Sequence, residues 1–153
     1  AEVLRDGWYC TGDIAGSDAD GFVFLLDRLS RYSKIGGEMV PHMAVEDVLI
    51  EGLEAVERCV VVTAAPDERK GEQLVVCYTE AAGAAVDLIA VIKSSSLPNL
   101  WRPKRDNFVL IDEIPTLGTG KVDLKAIKDI ARAFVEVRPN PMQKVVSKLR
   151  EAL

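Results

Sequence analysis

Two stretches leave this chain little choice of architecture. Glu57–Ala65 and Glu72–Thr79 are dense in apolar and β-branched residues, with Val60-Val61-Val62 in the first and Leu74-Val75-Val76 in the second. Such runs are stable on a packed, pleated surface. Between them stands Pro66-Asp67-Glu68-Arg69-Lys70-Gly71, a polar connector opened by proline and closed by glycine. The two runs are therefore expected to pair as neighbouring antiparallel strands.

The remaining segments must be placed around that pair. Gly21–Leu26 is a β run fed by the turn chemistry of Asp18-Ala19-Asp20-Gly21, and Tyr32–Ile35 reads as a short strand broken by Gly36-Gly37. Together they read as a hairpin-like unit around Asp27-Arg28-Leu29-Ser30. Val45, Val48 and Leu49 repeat at helical spacing, so a helix is expected from about 41 to 51, with Pro41 in its first turn and Gly52 as its stop. Asp87 is placed to cap a short helix with Leu88, Val91 and Ile92 on its apolar face, ending in Ser94-Ser95-Ser96; the Ala-rich Glu80–Val86 before it reads as loop. A loop with Pro98, Trp101 and Pro103 leads to a strand at Phe108–Ile111. Asp123 then caps a longer helix with Leu124, Ile127, Ile130 and Phe134 on one face, closed by Pro139, and Val145, Val146 and Leu149 suggest a last short helix. The fold class is α+β: a small mixed sheet with helices packed on its faces, preceded by a β-hairpin-like segment.

Composition narrows the function classes. At 153 residues and 48% hydrophobic, the chain supports one core without disulfides or a structural metal. Nineteen Lys+Arg against 24 Asp+Glu give a net charge of −5, the wrong sign for a domain whose bulk field attracts nucleic acid or anionic lipid. No apolar run approaches the roughly 18 residues of a membrane span. Cys10, Cys59 and Cys77 are odd in number and form no CxxC pair, so reduced thiols in the cytoplasm are expected. The sequence opens on Ala1 rather than Met and reads as chain cut from something longer.

The stock of catalytic groups is small. His42 is the one histidine, placed at a helix start, and is read as a surface or helix-end side chain; nothing in the sequence puts a nucleophile beside it. No metal-ligand set is expected from this chain. Thr116-Leu117-Gly118-Thr119-Gly120-Lys121 departs from a phosphate-binding P-loop, which requires glycine and Ser/Thr where Pro115 and Val122 stand. Two readings of the segment stay open: a mobile cation that glycines present to a phosphate, or a hairpin tip with a solvated lysine. Tyr9-Cys10-Thr11-Gly12-Asp13 offers a turn with a carboxylate able to accept from paired hydroxyls, or a plain surface turn.

Taken together, Trp8–Asp13, the stretch Asp27-Arg28-Leu29-Ser30-Arg31-Tyr32-Ser33-Lys34-Ile35-Gly36-Gly37-Glu38-Met39-Val40, and Pro115–Lys121 stand in the order and spacing of three motifs of the adenylate-forming superfamily. That superfamily holds acyl-CoA synthetases, peptide-synthetase adenylation domains and luciferases. The chain resembles the last strands of the large N-terminal domain (residues 1–29) joined to the small C-terminal domain (30–138) and a tail (139–153). Lys34–Val40 with Val45-Glu46 further resembles the acyl-acyl carrier protein synthetase part of bifunctional 2-acylglycerophosphoethanolamine acyltransferases.

The resemblance implies roles residue by residue. Asp13 would hold the ribose hydroxyls of ATP, and Arg28 would contact the nucleotide near ribose and phosphates. Ser30, where many relatives have Asp or Lys, falls at the hinge about which the small domain turns. Lys121 would reach the carboxylate and α-phosphate during adenylation. Gly36, Gly37 and Glu38 would line the pantetheine path in the thioester-forming pose. Met39 stands where relatives often carry a basic residue, which leans the acceptor towards acyl carrier protein rather than CoA. The implied cofactors are ATP with Mg2+, held mainly by a missing large domain. The implied partners are a long-chain fatty acid, the phosphopantetheine thiol of the acceptor and the chain's own N-terminal domain; neither nucleic acid nor membrane insertion by this segment is implied. The implied setting is the cytoplasm, at the cytoplasmic face of a membrane if absent parts of the chain anchor it, with acyl transfer feeding lysophospholipid reacylation. A non-catalytic interaction module of the same fold remains the alternative. Within Leu97–Arg105, Trp101, Arg102, Lys104 and Arg105 form a basic and aromatic cluster expected to meet an acidic carrier protein.

Overall fold

The structure, a computed structural model, describes residues 3–54 and 58–138. The chain opens with two antiparallel hairpins. In the first, β1 (Leu4–Arg5) pairs with β2 (Trp8–Tyr9). In the second, β3 (Asp13–Ser17) pairs with β4 (Val23–Arg28), and the Asp18 carboxylate closes the turn by accepting from the N–H groups of Asp20 and Phe22. A single 3-10 turn, Leu29–Arg31, leads into the main sheet.

That sheet contains β5 (Tyr32–Ile35), β6 (Glu38–Pro41), β7 (Val60–Asp67), β8 (Gly71–Tyr78) and β9 (Phe108–Leu110). The order is β6-β5-β8-β7, with β9 running parallel to β8 beside Val76–Tyr78. β7 and β8 pair antiparallel over their whole length, from Val60 opposite Tyr78 to Asp67 opposite Gly71, as their composition requires. Helices α1 (His42–Gly52) and α2 (Ala85–Ser94) cover one face and α3 (Leu124–Val137) the other. Val60, Val62, Leu74 and Val76 therefore pack with Val45, Leu49, Leu88 and Ile92. Val61, Ala65, Val75 and Cys77 pack with Val109, Ile127 and Ala131. Successive side chains point to opposite faces, and because both faces are covered these strands read as continuous apolar runs rather than alternating ones. The α+β class and the helices on the sheet faces are as expected.

Several local expectations are corrected. Strand β4 does not pair with β5 across Asp27–Ser30; each belongs to its own hairpin, β4 with β3 and β5 with β6, because Gly36 and Gly37, at φ 59 and 95, turn the chain back. Asp87 is not the cap of α2: the helix starts after Ala84, and Asp87 sits in its first turn, where a carboxylate still meets the positive end of the helix dipole. The stretch 80–86 is not simple loop, since Glu80–Ala82 form a 3-10 turn and Ala85 and Val86 open α2. Gly52 does not act as a helix stop. A Cβ there would come within 2.4 Å of Val91 Cγ1, so the residue is small because α1 and α2 touch at that point; the positive φ falls at Glu54. The Asp123 cap is as expected, its Oδ1 accepting from the N–H groups of Lys125 and Ala126 at 3.0 Å each. Pro139 and the terminal helix over Val145, Val146 and Leu149 lie outside the described residues. Among the described residues no helix is long and apolar enough to cross a membrane.

Candidate functional site

Four of the sequence-derived site residues gather about one open cleft. Its walls are the Asp27–Arg31 turn, one side of α1, and the segment from Leu110 at the end of β9 to Lys125 at the start of α3. Arg28 and Ser30 line it from one side and Lys121 from the other. Asp13 joins through Arg28: the register of the second hairpin sets the two residues opposite each other, and Arg28 Nε lies 2.9 Å from Asp13 Oδ1. Gly12, at φ +76, makes the turn before Asp13, whose N–H donates to Thr11 Oγ1 at 3.1 Å. Arg28 engages Oδ1 alone, so the other carboxylate oxygen keeps its capacity to accept.

Lys121 sits at the tip of a small closed turn. Thr116 bridges Val122, the Leu117 N–H donates to the Lys121 carbonyl at 2.7 Å, and the Gly120 N–H donates to the Leu117 carbonyl at 2.8 Å. Gly120, at φ +78, adopts a conformation that L side chains rarely take. The base of the turn runs into α3, with the Asp123 N–H on the Pro115 carbonyl. Lys121 is exposed and forms no ion pair among the described residues. Arg28 and Lys121 thus face one cleft whose lining also holds Arg31, Arg58 and Lys125 among several carboxylates, while Asp13 stands behind Arg28 rather than on the lining. Among the described residues no group of three His, Cys, Asp or Glu converges as a metal site.

Gly36, Gly37 and Glu38 are not brought to the cleft. They form the β5–β6 turn, where the Gly36 N–H donates to the Lys70 carbonyl at 3.0 Å and the Gly36 backbone faces Leu100. The basic loop beside them is largely committed to structure. Arg102 donates to the carbonyls of Leu97 and Ser95, Lys104 bonds Asp67 and Gln73, and Trp101 packs on the core, leaving Arg105 as its exposed cation with no partner among the described residues.

His42 is corrected: it begins α1 as expected, yet it is 3% exposed, and its Nε2 lies 2.6 Å from Ser33 Oγ. A serine is beside it after all, but Ser33 is equally buried, so no substrate reaches the pair. Burial, then the charges of Arg31 and Lys128, bring the imidazole pKa down to about 3, which leaves it neutral at pH 7. The residues that sequence reading missed are Arg31 and Glu46. Arg31 Nη2 is bonded to Glu46 Oε2, while Glu46 Oε1 accepts from the Val62 N–H at 2.6 Å. The available signal was a charge on the buried stripe of α1, beside Val45 and one turn from Leu49.

No protein-family model matches the chain. It is 34% identical over 138 residues to the medium/long-chain-fatty-acid–CoA ligase FadD8 of Mycobacterium tuberculosis, covering 84% of this chain and 23% of that protein. It is 37% identical over 132 residues to the fatty acid–acyl-carrier-protein ligase ScoC of Streptomyces coeruleorubidus, covering 84% and 24%. The ATP-bound MatB of Rhodopseudomonas palustris superposes with a TM-score of 0.65 at 22% identity, over 84% of this chain and 25% of that one. The chain thus spans about a quarter of the length of the relatives it matches. Its fold is that of the C-terminal domain of adenylate-forming enzymes, and its relatives are acyl-CoA and acyl-carrier-protein ligases of that superfamily.

Proposed function

We propose that this chain is the C-terminal part of an ATP-dependent acyl-activating ligase, which adenylates a long-chain fatty acid and passes it to a phosphopantetheine thiol. The observation that carries the reading is Lys121, an exposed cation on a glycine-shaped tip, facing Arg28 and Ser30 across one cleft. When the acid attacks the α-phosphate, negative charge grows on the equatorial oxygens and on the leaving pyrophosphate, and a held cation lowers that barrier by a few kcal/mol. Asp13 accepts from the ribose hydroxyls, Arg28 orients that carboxylate and meets the nucleotide, and Ser30 is the hinge. ATP supplies the phosphoryl electrophile, and Mg2+ is held by the part of the protein beyond this chain.

Gly36, Gly37 and Glu38 lie outside the Lys121 cleft, so they serve the second half-reaction, thioester formation, after the small domain has turned. The acceptor is acyl carrier protein, supported by Met39 in place of a base and by the likeness to ScoC. The likeness of Lys34–Val40 to the synthetase part of 2-acylglycerophosphoethanolamine acyltransferases supports a role in lysophospholipid reacylation. The rest of the protein packs on the exposed apolar residues of β4, Val23 to Leu26. The setting is the cytoplasm, in keeping with an odd number of cysteines that form no CxxC pair.

ATP–pyrophosphate exchange by the chain joined to a full-length upstream part, with a panel of fatty acids, tests the reading. Exchange should need a fatty acid and should fall by about 100-fold or more in Lys121→Ala, the loss expected on removing one transition-state charge contact. Fatty-acid-dependent exchange that is unchanged by Lys121→Ala removes Lys121 from the chemistry; no exchange at all in the folded protein favours the interaction module.

A further inference from the structure

We infer that Arg31 and Glu46 are positioning residues that fix the small-domain end of the hinge, so that rotation is confined to Ser30; the inference rests on the ligase reading above. The turn Leu29–Arg31 is held from both sides. On the hairpin side, the Leu29 N–H donates to the Gly12 carbonyl at 2.8 Å, which ties Leu29 to the body that carries Asp13 and Arg28. On the other side, the Arg31 guanidinium is bonded to Glu46 of α1, and both side chains are close to buried. Glu46 in turn takes the N–H of Val62 on β7, a strand whose one ladder partner in the sheet order is β8. One carboxylate therefore links the hinge to the first helix and to the border of the sheet. Ser30 is the residue between the two ties.

The physical consequence is mechanical. A domain that must present Lys121 in one pose and withdraw it in the next needs a pivot with few soft dihedrals, because slack at the pivot becomes displacement at the tip. Tying Leu29 and Arg31 leaves the torsions around Ser30 as the soft ones. The charges also suit the place: an Arg–carboxylate pair with its second oxygen satisfied by a backbone N–H keeps its geometry in a site where a lone charge would be costly.

The test separates positioning from stability. Arg31→Met alone strands a buried carboxylate, so it is paired with the double variant Arg31→Met/Glu46→Gln, in which the amide oxygen still accepts from Val62 and no charge is left unpaired. In this chain, amide hydrogen exchange at residues 31–33 should quicken about tenfold in both variants, while the double variant melts close to the native temperature. In the full-length protein, adenylation and thioester formation should each fall about tenfold in both variants, and Arg31→Lys should restore most of the loss. Recovery of both half-reactions and of native hydrogen exchange in the double variant overturns the clamp and leaves the pair a stability element. Absence of acid-dependent pyrophosphate exchange in the native full-length protein removes the ligase reading instead, and the hydrogen-exchange arm then decides the clamp alone.

Discussion

The hairpins before the turn and the sheet domain after it are held together in different ways. Residues 3–29 form regular hydrogen-bonded hairpins, yet Trp8 is 78% exposed, Leu25 74% and Phe22 66%. Neither hydrophobic cluster draws a residue from before Ile35. Residues 30–138 close two cores about one sheet, with Val40, Val45, Leu49, Val60 and Val62 fully buried. Two-stranded ribbons are marginal in water, and backbone bonding without burial contributes little net stability. The candidate site is assembled from both regions: Asp13 and Arg28 come from the part without a core, Lys121 from a tip on the part with one. Stability and function are therefore separable by mutation.

The comparison can be pushed hardest with acid. His42 lies wholly on the sheet-domain side, and burial holds its folded pKa at about 3, below the ordinary imidazole value of 6.5. Between those values the unfolded chain binds the extra proton, so the His42 contribution is fully present above about pH 6.5 and is lost as pH falls towards 3. Urea titrations at stepped pH should show the domain weakening by at most ~1.4 kcal/mol per unit in that window, and His42→Gln should flatten the slope. A slope that the substitution leaves intact would place the proton uptake elsewhere.

Next in size is Gly52→Ala. The added methyl would press on Val91 where α1 meets α2, and overpacking of this kind costs about 1–3 kcal/mol. Pairing it with Val91→Ala should return much of the loss in a double-mutant cycle, because the clash is between these two side chains. Additive effects would mean that the glycine serves some purpose other than close approach.

The smallest effect is expected from the hairpins. Chain shortened to begin at Leu29 should melt within a few degrees of the intact chain, since neither core loses a side chain. A drop of ten degrees or more would show that the hairpins brace the sheet domain.

How much could be read from the residues follows the same division. The strands β7 and β8, the amphipathic α3 and its Asp123 cap were legible because each is a local pattern: a β-branched run, a helical repeat, a side chain three residues from the N–H it accepts. The pairing of β4 was not, since an isolated strand run carries no mark of its partner, and the hairpin around Asp27–Ser30 dissolved once β3 and β6 took their places. His42 misled because burial is a property of what packs against a helix start, here Ser33 of β5. Motif reading singled out Lys121, Asp13 and Arg28, but not that Arg28 and Lys121 line one cleft.

Sequence alone determined the α+β class, the central antiparallel pair, the acidic balance and the three motif segments, because each is written in neighbouring residues. Only the tertiary structure decided that Arg28, Ser30 and Lys121 share a cleft while Gly36–Glu38 stand apart from it, that Gly52 exists to let two helices touch, and that Arg31 reaches through Glu46 to the backbone of Val62. These contacts join residues from 15 to about 90 positions apart. Side-chain chemistry limits what such residues can do, but which of them meet is fixed by how the sheet, its two covered faces and the turn at Ser30 pack.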